Sequence, residues 1–286
     1  MEPNTQRQKA EALRAMHDRS RILVLVNVWD AMSARATEEA GARAIATSSA
    51  TMANALGYPD GEVAPREEIA AAIARIARVV EAPVTADIES GFGRTPADVA
   101  DTIRMVIEAG AVGVNLEDSI QERRGELYEV PQALERLAAA REASTKAGVP
   151  LVINARTDVF LLGVGPRESR LDHAVRRATA YRKAGADCLF VPGVRDAQTI
   201  AELARRINGP LNVLAGPGTP PVAELERMGV ARVSVGSWPG LAAMTVARKA
   251  AQELLGAGTY GFIAADTITY PEANAMMKRR GAAARA

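Results

Sequence analysis

Five carboxylates at or just after the ends of short apolar runs carry the chemical interest of this sequence: Asp60, Asp87, Glu89, Glu117 and Asp118. So many like charges on one rim demand a counter-ion. An all-oxygen set with no histidine or thiolate beside it suits Mg2+ or Mn2+, and not Zn2+. The two histidines, His17 and His173, fall on predicted helices away from that rim, and Cys188 lies inside an apolar run as an inert core residue. Arg156 ends another run, and its planar fork suits a carboxylate. A hard cation beside an arginine points to an anionic substrate whose developing oxyanion the metal stabilises. Ser48 and Ser49 read either as loop hydroxyls or as a pair offering backbone N–H groups to an anion. Asp30, Asp118 and Asp158 read equally well as helix caps.

These residues need a scaffold that gathers strand ends. Eight near-continuously apolar runs occur at 22–27, 44–47, 84–88, 112–116, 151–155, 187–191, 211–214 and 232–236, and such runs fit strands buried on both faces of a parallel sheet. Segments 32–40, 65–80, 95–109, 131–147, 168–184, 197–207 and 220–228 have helical spacing. Gly41, Gly110, Gly148, Gly185 and Gly229 follow helical segments, as C-terminal caps do. Thr95-Pro96 and Val130-Pro131 mark helix starts. Eight alternations favour an α/β fold closed into a (β/α)8 TIM barrel, with catalytic groups at the C-terminal ends of the strands. No linker divides the chain, so 1–286 reads as one barrel domain with an N-terminal helix within 1–20. A C-terminal extension, 257–286, carries a glycine-rich turn and a short helix at 270–280, and either packs across the barrel base or exchanges with a neighbouring subunit.

The balance of 35 basic and 34 acidic residues, with 4% aromatics, gives no electrostatic or stacking case for a nucleic-acid partner. The polar start lacks an apolar signal core, and no run approaches a membrane span. The expectation is a soluble, cytoplasmic enzyme acting on a small molecule. A single cysteine excludes an intrachain disulfide framework. Gly91-Phe92-Gly93 lacks the third glycine of a dinucleotide loop.

The segments NVWDAMSA (27–34), TSSATMANALGYPD (47–60), TADIESGFG (85–93), NLEDS (115–119) and NARTD (154–158) resemble, in order and spacing, the isocitrate lyase / phosphoenolpyruvate mutase superfamily. That resemblance implies a Mg2+-binding (β/α)8 barrel that makes or breaks a C–C or P–C bond next to a pyruvate enolate. It also implies a homo-oligomer, dimer or tetramer, in which paired subunits swap the eighth helix. By position, Asp87 resembles the principal metal ligand, with Glu89 and Glu117 as further members of the metal cluster. Asp60 resembles an acidic residue on the loop that closes over substrate. Ser48 and the Ser49-Ala50 backbone resemble the cradle for the pyruvyl group, Arg156 the substrate-gripping arginine, and Trp29 and Asn212 further substrate-facing positions. The lid segment SIQERRGELYEV (119–130) departs from the relatives. It has neither the cysteine and histidine of the isocitrate-type lyases nor the lysine and asparagine of the mutases, and residue 192 is proline where the mutases tend to have histidine. Enolate machinery without either leaving-group signature favours a decarboxylase or lyase of oxaloacetate type, with water or Tyr128 protonating the enolate. The alternatives are a phosphonomutase or phosphonopyruvate hydrolase, with Arg123 and Arg124 steadying the phosphoryl group, and a non-catalytic barrel that binds an oxo acid.

Overall fold

The computed structural model describes residues 3–123, 125–263 and 267–278. Among the described residues, nine parallel strands form one sheet: β1 (Leu23–Leu25), β2 (Asn27–Val28), β3 (Ile45–Thr47), β4 (Val84–Asp87), β5 (Gly113–Glu117), β6 (Val152–Arg156), β7 (Cys188–Phe190), β8 (Leu211–Leu214) and β9 (Arg232–Ser234). Their order is β1-β9-β8-β7-β6-β5-β4-β3-β2. The two ends of that order are consecutive stretches of chain broken only at Val26, so the sheet curls round on itself as a barrel. Asn27 closes the seam: its Nδ2 donates to the Thr47 carbonyl at 2.8 Å, and its Oδ1 accepts from the backbone of Val235 and Gly236. A side chain thereby replaces ladder bonds that the break removes.

Helix α1 (Pro3–Ala15) lies across the N-terminal end of the barrel, where Gln6 donates to the carbonyls of Ile107 and Ala111 and Leu13 packs on Gly113. The crossovers are α2 (Ala31–Glu39), α3 (Ser49–Leu56), α4 (Arg66–Val79), α5 (Pro96–Glu108), α6 (Val130–Lys146), α7 (Arg170–Lys183), α8 (Ala197–Arg206) and α9 (Val222–Arg227). They bury one stripe each, as α5 does with Val99, Thr102, Ile103, Val106 and Ile107. Thr95 caps α5 through the Asp98 backbone, with Pro96 in the first turn, and Gly110 leaves the helix at φ 98°.

Three features differ from expectation. α3 stands where a loop was expected, because its Ser, Thr and Asn content favours turns, and the burial of Thr51, Met52 and Ala53 overrides that preference. The long α10 (Trp238–Gly256) follows β9 but buries only Gly240. The tail helix α11 (Tyr270–Met277) docks on α2, with Arg35 Nε donating to the Met276 carbonyl, and the expected residues 279–280 lie outside the described residues. No helix among the described residues is long and apolar enough to cross a membrane.

Candidate active site

The C-terminal ends of β4, β5 and β6 carry the expected charges. Asp87 ends β4, and its backbone N–H donates to Thr47 Oγ1 at 2.9 Å. Its Oδ2 accepts from Ser49 Oγ at 3.2 Å and from the Ser49 N–H at the start of α3, where the helix dipole favours an anion. Its Oδ1 is buried without a partner. Register sets Glu117 of β5 directly beside Arg156 of β6, and Arg156 Nη1 meets Glu117 Oε2 at 2.7 Å. The Glu117 Oε1 accepts from Ser119 Oγ and, at 2.7 Å, from Gln121 Nε2. Asp158 grips the other side of the guanidinium, with Nε–Oδ1 at 2.6 Å and Nη2–Oδ2 at 2.9 Å. Burial opposes the Arg156 charge, but Asp158, Glu117 and Asp87 hold it firmly protonated. Burial pushes the Glu117 carboxyl upward, yet a guanidinium that cannot deprotonate makes the pair ionic.

Glu89 follows β4 with φ 51°, one of three non-glycine residues in the left-handed region among the described residues, the others being Glu62 (φ 57°) and Phe92 (φ 54°). All three sit where the loop after α3 crosses the loop after β4: the Glu62 N–H donates to Glu89 Oε2 at 2.9 Å, and Glu62 Oε1 accepts from Ser90 Oγ and the Phe92 N–H. Backbone strain of this kind concentrates at functional sites. Burial, then the charges of Asp60, Glu117 and Asp87, push Glu89 up to about 9. Asp60 is likewise raised, by burial first and Asp87 second. Ser49, Asp60, Glu89, Glu117, Arg156 and Asp158 line a shared cavity of about 510 Å3, closed on one side by the lid.

Other expected residues lie elsewhere. Trp29 packs against Gly240 of α10, and its N–H bonds Ser33 Oγ. Ser48 is buried at the N-cap position of α3 without a side-chain capping bond, and Ala50 lies in the first turn of that helix; neither lines the cavity. Asn212 is fully buried within the barrel, its Nδ2 on Ser234 Oγ at 3.3 Å. Asp30 is the cap of α2, accepting from the Ser33 N–H at 2.7 Å. Asp158 caps no helix, being committed to Arg156. Arg123 pairs with Glu126 at 2.7 Å, and Arg124 lies outside the described residues. Tyr128 is buried in the lid stem, with Arg136 stacked 4.3 Å from its ring centroid, so its phenol does not line the cavity. His17 is buried and pushed down to about 4 by burial, and the Cys188 thiol is pushed up to about 12 by burial, which leaves it inert.

Asp118 is neither a rim charge nor a solvated cap. It is buried, accepting from Arg177 Nη1 at 3.1 Å, Tyr181 Oη at 2.7 Å and the Asp158 N–H at 2.9 Å. Arg177 also donates to the Tyr128 carbonyl at 2.9 Å, so one buried network fixes both the lid stem and the residue that aims Arg156. The sequence gives no sign of this role, because Arg177 is one of several arginines on a helix. Glu62 was equally silent, its part being set by a crossing of two loops.

The orphaned Asp87 Oδ1 and the crowding of acidic side chains with only oxygen donors fit a hard divalent cation. Among the described residues no three His, Cys, Asp or Glu side chains converge to hold an ion by themselves, so the expected trio Asp87, Glu89 and Glu117 does not form a closed set of ligands.

A family model described as phosphoenolpyruvate phosphomutase matches residues 13–255. A Burkholderia cenocepacia J2315 structure, provisionally named a phosphonomutase, is 47% identical over 86% of this chain and 99% of its own, with TM-score 0.82. Oxaloacetate decarboxylase 2 of Pseudomonas fluorescens is 28% identical over 80% of this chain and 79% of its own. Phosphonopyruvate hydrolase, solved with oxalate and Mg2+, is 25% identical over 94% of each chain, with TM-score 0.82. The chain thus belongs to the phosphoenolpyruvate phosphomutase family, within the isocitrate lyase / phosphoenolpyruvate mutase superfamily of enzymes that act on C–C or P–C bonds.

Proposed function

We propose that the protein is a Mg2+-dependent lyase of the decarboxylase type, acting on oxaloacetate or a similar small 2-oxo dicarboxylate. One observation carries this: Arg156, clamped between Asp158 and Glu117, faces a cavity whose lid, 119–130, contains no thiol and no imidazole. Arg156 holds the C1 carboxylate. Asp87 would hold Mg2+, or Mn2+ in its place, with Glu89 and Glu117 neighbouring it. When bound, the cation supplies positive charge to the oxygen at C2 as enolate character develops. Asp60 and Ser49 border the C2 side and fix the approach. The C3–C4 bond then breaks, C4 leaves as CO2, its electron pair passes into the enolate, and water returns a proton to C3 to give pyruvate. A leaving CO2 needs no acid, which fits a lid stripped of cysteine and histidine.

Pyruvate release from oxaloacetate, followed with Mg2+ and with EDTA, tests the proposal. Metal-dependent release well above the spontaneous rate is expected, and its loss in Asp87→Asn. Absence of release with Mg2+ would sink it. Relatives named for phosphonates favour P–C cleavage as the second reading, and 31P NMR with phosphonopyruvate separates the two, since only that reading moves or frees the phosphorus signal.

We also infer a homo-oligomer in which α10 crosses to a neighbour. Leu255 and Val246 of α10 are exposed, and so are Val24 and Val26, which edge an uncovered groove of about 490 Å3 between the first strand run and α2. A helix without a core and a barrel seam without a cover are complementary.

A further inference from the structure

The active-site cavity changes character from floor to mouth. Its floor is charged, with the buried Glu89, Glu117 and Asp158 and the half-buried Arg156. Its mouth carries an apolar patch, with Val63 from the loop after α3 and Leu161 and Leu162 from the loop after β6, beside the polar Asp60 and Gln121. Val63, Leu161 and Leu162 are 53%, 45% and 39% exposed, although they border a site for a charged acid.

The two leucines are held outward by the loop that carries them. Val159 is fully buried and Phe160 packs on the core, which anchors the segment. The Leu162 N–H bonds the Asp158 carbonyl at 2.9 Å, and the Gly163 N–H bonds the Phe160 carbonyl. The loop after β7 lies directly beneath: a Cβ on Gly193 (φ 90°) would stand 2.7 Å from the Leu161 nitrogen. Leu161 and Leu162 therefore cannot retreat into the core without displacing that loop. Adjacent leucines kept in contact with water are costly, and contiguous exposed apolar surface marks a binding site. The floor, with Arg156 and the carboxylates, suits the head of a 2-oxo acid, and that head does not use the apolar patch.

We propose that the preferred substrate is a 2-oxo dicarboxylate carrying an alkyl substituent at C3, with the substituent seated against Val63, Leu161 and Leu162. This rests on the decarboxylase reading and extends it: cleavage would release CO2 and leave a branched or lengthened 2-oxo acid in place of pyruvate.

The test is a homologous series of oxaloacetate, 3-methyl-oxaloacetate and 3-ethyl-oxaloacetate, with the full-length protein and Mg2+. Each methylene buried should raise kcat/KM about fourfold. The double variant Leu161→Asn, Leu162→Asn should flatten that slope. A wild-type kcat/KM that stays level or falls along the series overturns the proposal, whatever the absolute rates. Calorimetry with the corresponding products (pyruvate, 2-oxobutyrate and 2-oxopentanoate) keeps the two claims apart. If no acid in the series is decarboxylated but product affinity still climbs with chain length, the decarboxylase reading fails and the apolar subsite stands. If turnover is present and neither rate nor affinity climbs, the subsite fails and the decarboxylase reading stands.

Discussion

Asp158→Asn probes the geometry on which the site depends. The Asp158 carboxylate accepts from both Nε and Nη2 of Arg156, at 2.6 and 2.9 Å, from a position almost without solvent. An asparagine there keeps one acceptor and turns an N–H towards a guanidinium that has only N–H groups to offer. One charge-assisted bond and one compensating charge are lost. Hydrogen bonds to charged groups contribute about 1.5–3 kcal/mol each, so a loss of about 2–3 kcal/mol is expected. If Arg156 must hold its orientation to grip the substrate carboxylate, that corresponds to a fall in kcat/KM of roughly 30- to 150-fold. Glu117 still tethers Nη1 at 2.7 Å, so the guanidinium is misaimed and not released. The assay is pyruvate release with Mg2+, paired with oxalate affinity by calorimetry so that the outcome does not hang on one reaction, and a thermal melt shows whether the variant is folded. A folded variant whose kcat/KM and oxalate affinity stay within about threefold of wild type would refute the reasoning and reduce Asp158 to loop support.

Other consequences follow from the same structure. Glu89 is raised from an ordinary carboxylate value to about 9, so in metal-free protein its stabilising contribution is present below about pH 4.5 and is lost as pH rises towards 9. Melting temperature without metal should fall across that window, Mg2+ should oppose the fall, and Glu89→Gln should flatten it; an unchanged slope in that variant would contradict the assignment. Arg177→Met strands Asp118 as a buried charge and should cost about 3–5 kcal/mol in urea unfolding, with faster tryptic cutting at Arg123 because the Tyr128 carbonyl loses its donor. Equal stability to wild type would mean that the network carries little. Val24→Asp places a charge in the groove beside β1 and should shift the protein to smaller assemblies in light scattering, while a wild type that is monomeric at micromolar concentration would rule out the exchange of α10.

The sequence by itself determined the barrel and the charges that end its strands. Buried parallel strands must be apolar along their length, so β4 to β9 appear in the chain as uninterrupted runs, and the alternation with amphipathic segments leaves few topologies open. Asp87, Glu117 and Arg156 were legible for the same reason, since a charge that ends such a run has to sit at the barrel mouth. Tertiary structure alone decided the rest. The first run, 22–27, hides a break at Val26 that Asn27 repairs with side-chain bonds to β3 and to the backbone just past β9. Asp118 looks in sequence like another rim carboxylate, yet it turns outward to Arg177, 59 residues away along the chain. Ser48 stands next to Ser49, but one extended residue before a helix start sends its side chain away from the cavity while Ser49 meets Asp87. The apolar patch at the cavity mouth is assembled from loops after α3 and β6, neither of which has a periodicity to read. Periodic patterns record burial within one element, whereas the direction of a side chain at a loop or strand end is fixed by whichever distant segment packs against it.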